Sequence, residues 1–450
     1  MIPQLMNVAT LSMSNYASFR NAVIANGGTI YDEEYSLRLF FEFFDEFGAF
    51  SNGATLITGM PASKVSVLYA WDVQNQTLVS IPVARAGTKW TLRKNGNLEE
   101  WQANFPAFEW NADGTYRGVS AEPGVTNLAL RSQEFNNVAW SKAATGTASV
   151  PVVTPNVAIA PDGTMTADLI VFARGAGNTI GDRSRLFQTP TVVNATAYNH
   201  AIYLKAATGA DVGKQIAFRG SAGGAYGVIT LTASWVRYDR TETSVSTTGN
   251  FELENRGTIT ADNTVSVHVW QADLILGTVP QSIIPTTGST ASRLADNINL
   301  TGASALIGQA QGYLGIGFTT RNAGTNRVLV DLWEDASNYI RIGLNTSNQL
   351  IGVVFAGGVA QASFTSSALT NNTKYGVVLS YSAGATLLSL NGAQVGTTDA
   401  SATIPALSKE NLGMSLASDQ HANCNLTPLV QGATVLSLAN ANDLSTRLAS

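Results

Sequence analysis

Aromatic side chains that lie beside polar ones are the residues of this chain with the clearest chemical potential, and that chemistry is saccharide binding. An aromatic ring contacts the C–H groups of a sugar while its edge meets water, and amide, carboxylate or guanidinium groups exchange hydrogen bonds with the hydroxyls. Two clusters fit this description, and together they comprise Trp270, Gln271, Asp331, Trp333, Asp335 and Arg341. A buried core residue is the ordinary alternative for each tryptophan. These six residues are the predicted carbohydrate-binding site.

The sequence contains no recognisable catalytic motif. The three histidines, His200, His268 and His421, lie far apart, and none belongs to an H-E-x-x-H string. A glycosidase needs two carboxylates about 5 to 10 Å apart. The acidic residues that could supply such a pair are Asp331, Glu334 and Asp335, or Glu242, Glu252 and Glu254. Solvated turns and strand edges explain these residues more simply, so we expect no enzyme activity, no catalytic residues, no metal and no cofactor.

The low charge of the chain narrows the range of partners. Charged residues make up 13% of the 450 residues, against roughly 25% in an average soluble protein. The net charge of −5 forms no basic stripe, so we expect no nucleic-acid binding. No stretch approaches ~18 consecutive apolar residues, so we expect no membrane insertion. Cys424 is the single cysteine, which allows no internal disulfide and predicts a small core residue.

Helices are predicted at the two ends of the chain. The first ends at Gly27–Gly28, is capped by Ser12 or Ser14, and has its apolar positions at Met13, Tyr16, Phe19 and Val23. The second runs through EEYSLRLFFEFFDEFGAF to Gly48, with an apolar stripe at Leu37, Phe40, Phe41, Phe44 and Phe47. Such a stripe is typical of a core helix or of a surface that docks on another copy. The tail ANDLSTRLAS predicts a final short helix.

The rest of the chain predicts strands, because apolar and β-branched residues alternate with polar ones from residue 54 onward. The Asn95-Gly96 and Asn391-Gly392 pairs are typical of two-residue hairpin turns, and Asn345–Asn348 predicts a four-residue turn. Residues 125–285 and 299–450 predict two all-β domains joined by a polar linker at 286–298. The predicted fold class is therefore mainly β, with two antiparallel jelly-roll or lectin-like sandwiches after a small α+β N-terminal region.

Residues 85–142 carry a resemblance to a known family. Their sequence combines an N-x-P-x-F-x-W segment with EPGVTNLALRSQEFNNVAWSK. This stretch resembles the collar segment of tailed-bacteriophage tail and tail-fibre proteins. Residues 125–285 resemble the carbohydrate-binding-module-like sandwich of those proteins, through the TNLALRSQEFNNVAWSK and VHVWQADLILGTVPQSIIPTTGSTASRLAD segments. Residues 299–450 resemble the laminin-G or concanavalin-A-like sandwich that follows there, through RIGLNTSNQLIGVVFAGGVAQASF and LLSLNGAQVGT.

The resemblance implies a phage virion component that contacts host surface glycans at the tail fibre or tail tip. It implies a homo-oligomer, a trimer by analogy, with other virion proteins and host polysaccharide or lipopolysaccharide as partners. Residues 1–84 would anchor or oligomerise the chain, residues 85–124 would form the collar, and residues from 300 onward would face away from the particle. The N-terminus lacks a signal-peptide pattern, which fits synthesis in a bacterial cytoplasm. A virion part without a ligand and a polysaccharide depolymerase are the alternative functions.

Overall fold

A computed structural model describes residues 2–36, 54–58, 60–64, 66–220, 224–321 and 324–450 of the chain. Strands dominate its regular structure, so the predicted mainly β class with a helical N-terminal part is confirmed. The chain forms two compact units. The terminal unit comprises Met1–Gly96, Trp101–Pro123 and Leu294–Ser450, and the inserted unit comprises Asn97–Glu100 and Gly124–Arg293. No helix in the described part of the chain is long and apolar enough to cross a membrane.

The segment before residue 124 contributes one long helix and a series of short strands. Its elements are α1 (Ile2–Ala25), β1 (Thr29–Ile30), β2 (Ala54–Ile57), β3 (Ala62–Lys64), β4 (Val67–Asp72), β5 (Thr77–Ala84), β6 (Lys89–Leu92), β7 (Leu98–Trp101), β8 (Phe108–Trp110) and β9 (Tyr116–Ala121). The predicted collar, residues 85–124, contains the last four of these strands.

Helix α1 ends where the sequence predicted but begins earlier. Gly27 adopts a φ of +70°, and the Gly28 N–H donates to the Val23 carbonyl oxygen at 2.8 Å. This hydrogen bond closes the helix through a left-handed glycine. The predicted cap at Ser12 or Ser14 is wrong, because both serines lie inside a helix that starts ten or more residues before them.

One face of α1 packs into the core of the terminal unit. Tyr16, Phe19 and Val23 are buried as predicted, at the spacing of one helix face. The Phe19 ring meets the Trp71 ring edge to face, with centroids 6.2 Å apart. Met13, the fourth apolar position of the pattern, is 50% exposed. It lies outside the stripe that contacts the sheet.

The second predicted helix begins at residue 33 and is described only to residue 36. Asp32 caps it, since its Oδ1 accepts the Tyr35 N–H at 3.1 Å. The predicted aromatic stripe from Leu37 to Phe47 lies outside the described residues.

The inserted unit is an antiparallel sandwich of two five-stranded sheets. Its strands are β10 (Val125–Asn127), β11 (Ser141–Thr145), β12 (Ser149–Ala158), β13 (Ala167–Ala173), β14 (Arg183–Gln188), β15 (Ala197–Ala206), β16 (Gln215–Arg219), β17 (Gly227–Thr230), β18 (Val236–Thr243), β19 (Phe251–Arg256), β20 (Thr264–Leu276) and β21 (Ala291–Arg293). One sheet has the order β11-β14-β19-β16-β17 and the other β12-β13-β20-β15-β18. A 3-10 turn at Gly209–Asp211 joins β15 to β16. Buried apolar side chains from both sheets, such as Phe172, Phe218 and Val267, fill the space between them.

The C-terminal part completes a second sandwich in the terminal unit. Its elements are β22 (Asn297–Thr301), β23 (Gln311–Thr319), β24 (Arg327–Asp335), β25 (Asn338–Leu344), β26 (Gln349–Ala356), β27 (Val359–Ala368), β28 (Lys374–Ser382), β29 (Thr386–Leu390), β30 (Ala393–Asp399), β31 (Lys409–Leu412), β32 (Cys424–Gly432) and α2 (Leu438–Ala449). One layer runs β22-β31-β24-β25-β26-β27, and the other runs β30-β29-β28-β23-β32. Helix α2, which fits the predicted C-terminal helix, covers the outer side of the second layer through Leu444 and Leu448.

Strands from the two ends of the chain share these layers. β5 pairs with β22, while β2 and β9 pair with β32. Residues 1–84 and 299–450 were predicted as separate regions, the first anchoring or oligomerising the chain and the second facing away from the particle. Their strands instead hydrogen-bond to one another inside the terminal unit. Pairing between strands far apart in sequence leaves no local signal, which is why the alternation pattern did not indicate it.

A buried ion network ties the predicted collar to the predicted linker. Asp296 accepts hydrogen bonds from Arg85 Nη1 at 3.0 Å, from Lys89 Nζ at 2.6 Å and from the Glu122 N–H at 2.8 Å. The side chains of Arg85, Lys89 and Asp296 are at most 2% exposed. Charges buried to this degree are tolerated only when they are paired and hydrogen-bonded. Removal of either partner would leave an uncompensated charge in the core.

Candidate functional site

The layer β22-β31-β24-β25-β26-β27 has a core side and an outer side. Leu332 and Ile340 are fully buried against the opposite layer. Successive side chains along a strand point to opposite faces. Trp333, Tyr339 and Phe355 therefore lie on the outer side, where each is half-buried.

The three aromatic residues form a row across adjacent strands. Trp333 pairs with Tyr339 in the β24–β25 register, and Tyr339 pairs with Phe355 in the β25–β26 register. The Tyr339 and Phe355 rings stack with centroids 4.8 Å apart and planes 14° apart. Lys409 pairs with Trp333 from β31 and holds its Nζ 4.4 Å from the ring centroid. Because the indole N–H of Trp333 is buried and makes no hydrogen bond, the exposed part of this ring is carbon.

An ion pair forms the next row of the same face. Arg341 donates to Asp331 twice, from Nε to Oδ1 at 3.1 Å and from Nη2 to Oδ2 at 2.7 Å. The Leu416 N–H also donates to Oδ2 at 2.9 Å. Burial raises the pKa of Asp331, and the Arg341 hydrogen bonds oppose this rise. The guanidinium lies 4.5 Å from the centroid of the Tyr339 ring, so the aromatic row and the ion pair are in contact.

We call this surface the aromatic face and define it by Trp333, Tyr339, Phe355, Lys409, Asp331 and Arg341. Three of its members, Asp331, Trp333 and Arg341, belong to the site predicted from the sequence. The face offers apolar ring carbon, a guanidinium already oriented by a carboxylate, and an ammonium group. These groups are suited to holding a flat polar ligand.

Asp335 has a different role from its predicted neighbours. It is exposed, and its Oδ1 accepts the Ser337 N–H at 2.7 Å and the Asn338 Nδ2 at 3.0 Å. These contacts shape the turn between β24 and β25, as aspartate commonly does. The adjacent Glu334 accepts from the Ser408 hydroxyl and lies 3.8 Å from Lys409 Nζ. Asp335 therefore helps to set the register that aligns the aromatic row.

Trp270 and Gln271, which were predicted as binding residues, do not lie on the accessible surface. Both are fully buried in the inserted unit. The Trp270 Nε1 donates to Thr166 Oγ1 at 3.1 Å. The Trp270 ring packs against the Tyr203 ring, with centroids 5.6 Å apart. Gln271 has a φ of +48° and lies at a register shift between β15 and β20, where its Nε2 donates to Asp273 Oδ1 at 2.8 Å. The two residues stabilise a β-bulge and cannot present their side chains to a saccharide in this arrangement.

The other predicted carboxylates are engaged in local contacts. Glu242 lies within hydrogen-bonding distance of Arg240 Nε and accepts the Gly220 N–H at 3.1 Å. Glu252 and Glu254 are fully buried beneath arginine side chains of the inserted unit. No group of three or more His, Cys, Asp or Glu side chains within the described ranges is placed to hold a metal ion.

Tyr339, Phe355 and Lys409 are members of the face that the sequence did not predict. A partial signal was present, because the turn at Asp335–Asn338 places Tyr339 opposite Trp333 in a hairpin. Alternation then puts Arg341 on the same side as Tyr339. Lys409 lies 76 residues from Trp333 by difference of their numbers (409 − 333), and only the tertiary fold brings β31 beside β24.

No model of a known protein family matches the chain, and no curated protein matches it. Among solved structures, the CBM40 domain of the Ruminococcus gnavus IT-sialidase, bound to α2,3-sialyllactose, is similar at 13% identity and a TM-score of 0.29, covering 33% of this chain and 92% of that one. Domain 4 of the Geobacillus stearothermophilus arabinanase AbnA, in complex with arabinotriose, shares 15% identity at a TM-score of 0.27, covering 34% of this chain and 73% of that one. Toad ovary galectin, in complex with thio-digalactose, shares 10% identity at a TM-score of 0.23. The match covers 30% of this chain and 97% of the galectin chain. The saccharides named here are ligands of those proteins, and the fold of this chain rests on its own strand pairing.

Proposed function

We propose that this chain is a non-enzymatic glycan-binding protein and that the aromatic face is its saccharide site. The observation that carries the proposal is the row of Trp333, Tyr339 and Phe355 beside the Arg341–Asp331 ion pair. Half-buried aromatic rings next to fixed polar groups supply the two contacts that a sugar ring needs, one to its C–H groups and one to its hydroxyls.

The shape of the site favours weak individual binding. A sheet face is open, and a bound sugar would stay largely hydrated along one side. An oligomer that presents several such faces gains avidity without any new contact. This reasoning supports a homo-oligomer, and we propose a trimer by analogy with the fibre proteins that the sequence resembles.

The resemblance of residues 85–450 to tailed-phage tail proteins supports a setting for this activity. We place the chain in the virion, at the tail fibre or tail tip, assembled in the host bacterial cytoplasm with other virion proteins. Its partner outside the particle is host polysaccharide or lipopolysaccharide. The low charge of the chain suits contact with neutral sugars and with identical neighbours.

Binding to a glycan array, followed by titration calorimetry with the best ligand, tests the proposed site. We expect the Tyr339→Ala and Trp333→Ala variants each to weaken binding about tenfold, since a sugar-stacking ring contributes on the order of 1 kcal/mol or more. Trp235→Ala removes a half-buried indole from the inserted unit and serves as the matched control with wild-type affinity. Wild-type affinity in both aromatic-face variants would show that the saccharide does not bind to this face.

Two further measurements separate the alternative functions. Absence of array binding, together with failure of the purified protein to block phage adsorption, would favour a virion part without a ligand. Release of oligosaccharide from host capsule or lipopolysaccharide would show a depolymerase. The copy number and position of the chain in intact particles, and its mass by light scattering, test the virion setting and the trimer.

A further inference from the structure

The outer side of the β11-β14-β19-β16-β17 sheet in the inserted unit carries a concentration of charge that the aromatic face does not explain. Phe251 and Leu253 of β19 point into the core. Glu252, Glu254 and Arg256 therefore lie on the outer side. We call this surface the arginine face and define it by Arg183, Arg185, Arg219, Arg256, Glu252 and Glu254.

Strand register places two like charges side by side on this face. Arg183 of β14 stands directly opposite Arg256 of β19. One step further along the same strands, Arg185 stands opposite Glu254. Opposite charges in direct register stabilise a sheet, whereas like charges in direct register destabilise it. The Arg183–Arg256 pair is thus unfavourable unless negative charge, from a carboxylate of the face or from a bound anion, offsets it.

Contacts within the face leave positive charge in excess. Glu252 lies 2.5 Å from Arg219 Nη2 and 3.4 Å from Arg185 Nη1, and Glu254 lies 3.0 Å from Arg256 Nε. Four guanidinium groups against two carboxylates leave two positive charges. The Arg183 backbone is paired with β11 and β19, but its side chain makes no hydrogen bond or ion pair with any described residue, so part of that excess is uncompensated.

A buried donor on the face also lacks an acceptor. Arg256 is 6% exposed, and its Nη2 makes no hydrogen bond among the described residues. The Nε groups of Arg185 and Arg219 are likewise buried and without a hydrogen-bond acceptor. A buried N–H without an acceptor is costly in a folded protein. Oxygen atoms from a bound anion would satisfy donors of this kind.

Short side chains on β11 give a ligand access to Arg183 and Arg185. Thr145 lies opposite Arg183 and Ala143 lies opposite Arg185 on the neighbouring strand β11, and Ala217 flanks Glu254 from β16. The Tyr226 ring lies 4.8 Å from the guanidinium carbons of both Arg219 and Arg256. The more open part of the face is therefore beside β11, at Arg183 and Arg185. The Arg185 group stacks on Phe187 with 4.2 Å to the ring centroid, which fixes the plane that it presents.

We propose that the arginine face binds the carboxylate of an acidic saccharide of the uronate type. A planar guanidinium matches a carboxylate through two parallel hydrogen bonds. One carboxylate between Arg183 and Arg256 removes their repulsion and leaves only one positive charge in excess. This second site is independent of the aromatic face and takes a different sugar chemistry.

Titration calorimetry on the full-length protein at low ionic strength tests the proposal with three probes. An oligogalacturonate of defined length supplies carboxylates, its fully methyl-esterified form supplies the same sugar rings without charge, and inorganic phosphate supplies an anion without a sugar. We expect binding of the oligogalacturonate, loss of that binding on esterification, and weaker binding of phosphate. Equal binding of the esterified form, no binding of the oligogalacturonate, or binding of phosphate alone would each overturn the proposal.

Variants locate the binding on the molecule. Arg183→Gln should weaken oligogalacturonate binding about tenfold or more, as the loss of a charge-assisted contact predicts, and should leave the melting temperature of the free protein equal or higher because a repulsion is removed. Lys205→Gln makes the same charge change on the other sheet of the inserted unit and should keep wild-type affinity. An unchanged affinity in Arg183→Gln, or an equal loss in Lys205→Gln, would contradict the assignment. The Trp333→Ala variant should keep oligogalacturonate binding, which separates this site from the aromatic face.

Discussion

Glu410 is the residue whose environment most directly predicts a pH effect on stability. Its side chain points into the core of the terminal unit, and it accepts one hydrogen bond, from Gln431 Nε2 at 3.2 Å. Burial raises the pKa of this carboxyl from 4.5 to about 7. The folded protein therefore holds a proton that the unfolded chain has already lost between those two pH values. Stability falls as pH rises from about 4.5 to about 7 and stays at the lower level above that range.

Replacement of Glu410 with Gln should remove this loss. At pH 8 we expect Glu410→Gln to be more stable than the wild type by on the order of 3 kcal/mol, and at pH 4 we expect the two to be similar. Urea unfolding across this pH range measures the difference, and Glu100→Gln controls for the loss of one exposed carboxylate. A Gln variant that is less stable at pH 8 would mean that the carboxylate is paired with a cation.

The predicted site residues show which features of a binding site a local sequence pattern can predict and which it cannot. Trp333, Asp331 and Arg341 were predicted from their proximity in sequence, and the β24–β25 hairpin brings them together because their numbers are symmetric about its turn. Trp270 had the same local appearance and proved to be fully buried. Trp270 follows Val265, Val267 and Val269, which are buried in the core, and alternation along a strand would place it on the outer side of the sheet. The sequence does not show what packs over that side. Cys424, predicted as a core residue, is buried, and burial raises its thiol pKa to about 12.

Helix α2 is positioned by glycines in the sheet beneath it. A Cβ built on Gly376 of β28 would lie 2.0 Å from the Ser445 carbonyl oxygen and 2.5 Å from the Ala449 nitrogen. A Cβ on Gly315 of β23 would lie 3.0 Å from Leu448 Cδ1. The absence of side chains at these positions lets the helix backbone approach the sheet closely. The sequence indicated the helix, but no local pattern marked these two glycines as the places where it contacts the sheet.

A matched pair of substitutions tests this packing. Gly376→Ala should lower the free energy of unfolding by about 1–3 kcal/mol, because the helix backbone must move away from the sheet. Gly384→Ala adds the same methyl group where nothing lies within 4 Å, and it should change stability by less than about 0.5 kcal/mol. Urea denaturation of both variants gives the comparison. Equal effects in the two variants would mean that α2 is not held against β28 as described.

At the scale of the whole molecule, the way the chain enters and leaves the inserted unit predicts that this unit folds independently. The first and last strands of its main segment (Gly124–Arg293), β10 and β21, pair antiparallel from Val125 opposite Arg293 to Asn127 opposite Ala291. The chain thus enters and leaves this unit at adjacent points, and the unit has its own apolar core. Such an arrangement is typical of domains that tolerate excision.

We expect residues 124–293 to fold when expressed alone. The fragment should show a β-type circular dichroism spectrum, a cooperative melting transition and the oligogalacturonate binding proposed for the full chain. The complementary protein, with this segment replaced by a short glycine-serine linker, should keep the aromatic face. A fragment that lacks cooperative melting would show that the inserted unit depends on the rest of the chain.

The sequence by itself determined the local structure of this protein. Apolar alternation specified strands, and Asn391-Gly392 specified a hairpin turn, where φ values of +47° and +84° suit these residue types. The tertiary structure decided everything that depends on pairing between distant segments: β32 beside β2 and β9, Lys409 over Trp333, and Arg183 opposite Arg256. A period of two residues fixes which side chains share a face, and it contains no information about which strand lies alongside or what covers that face. The candidate binding surfaces are made of such distant pairs, so they became visible only in the folded chain.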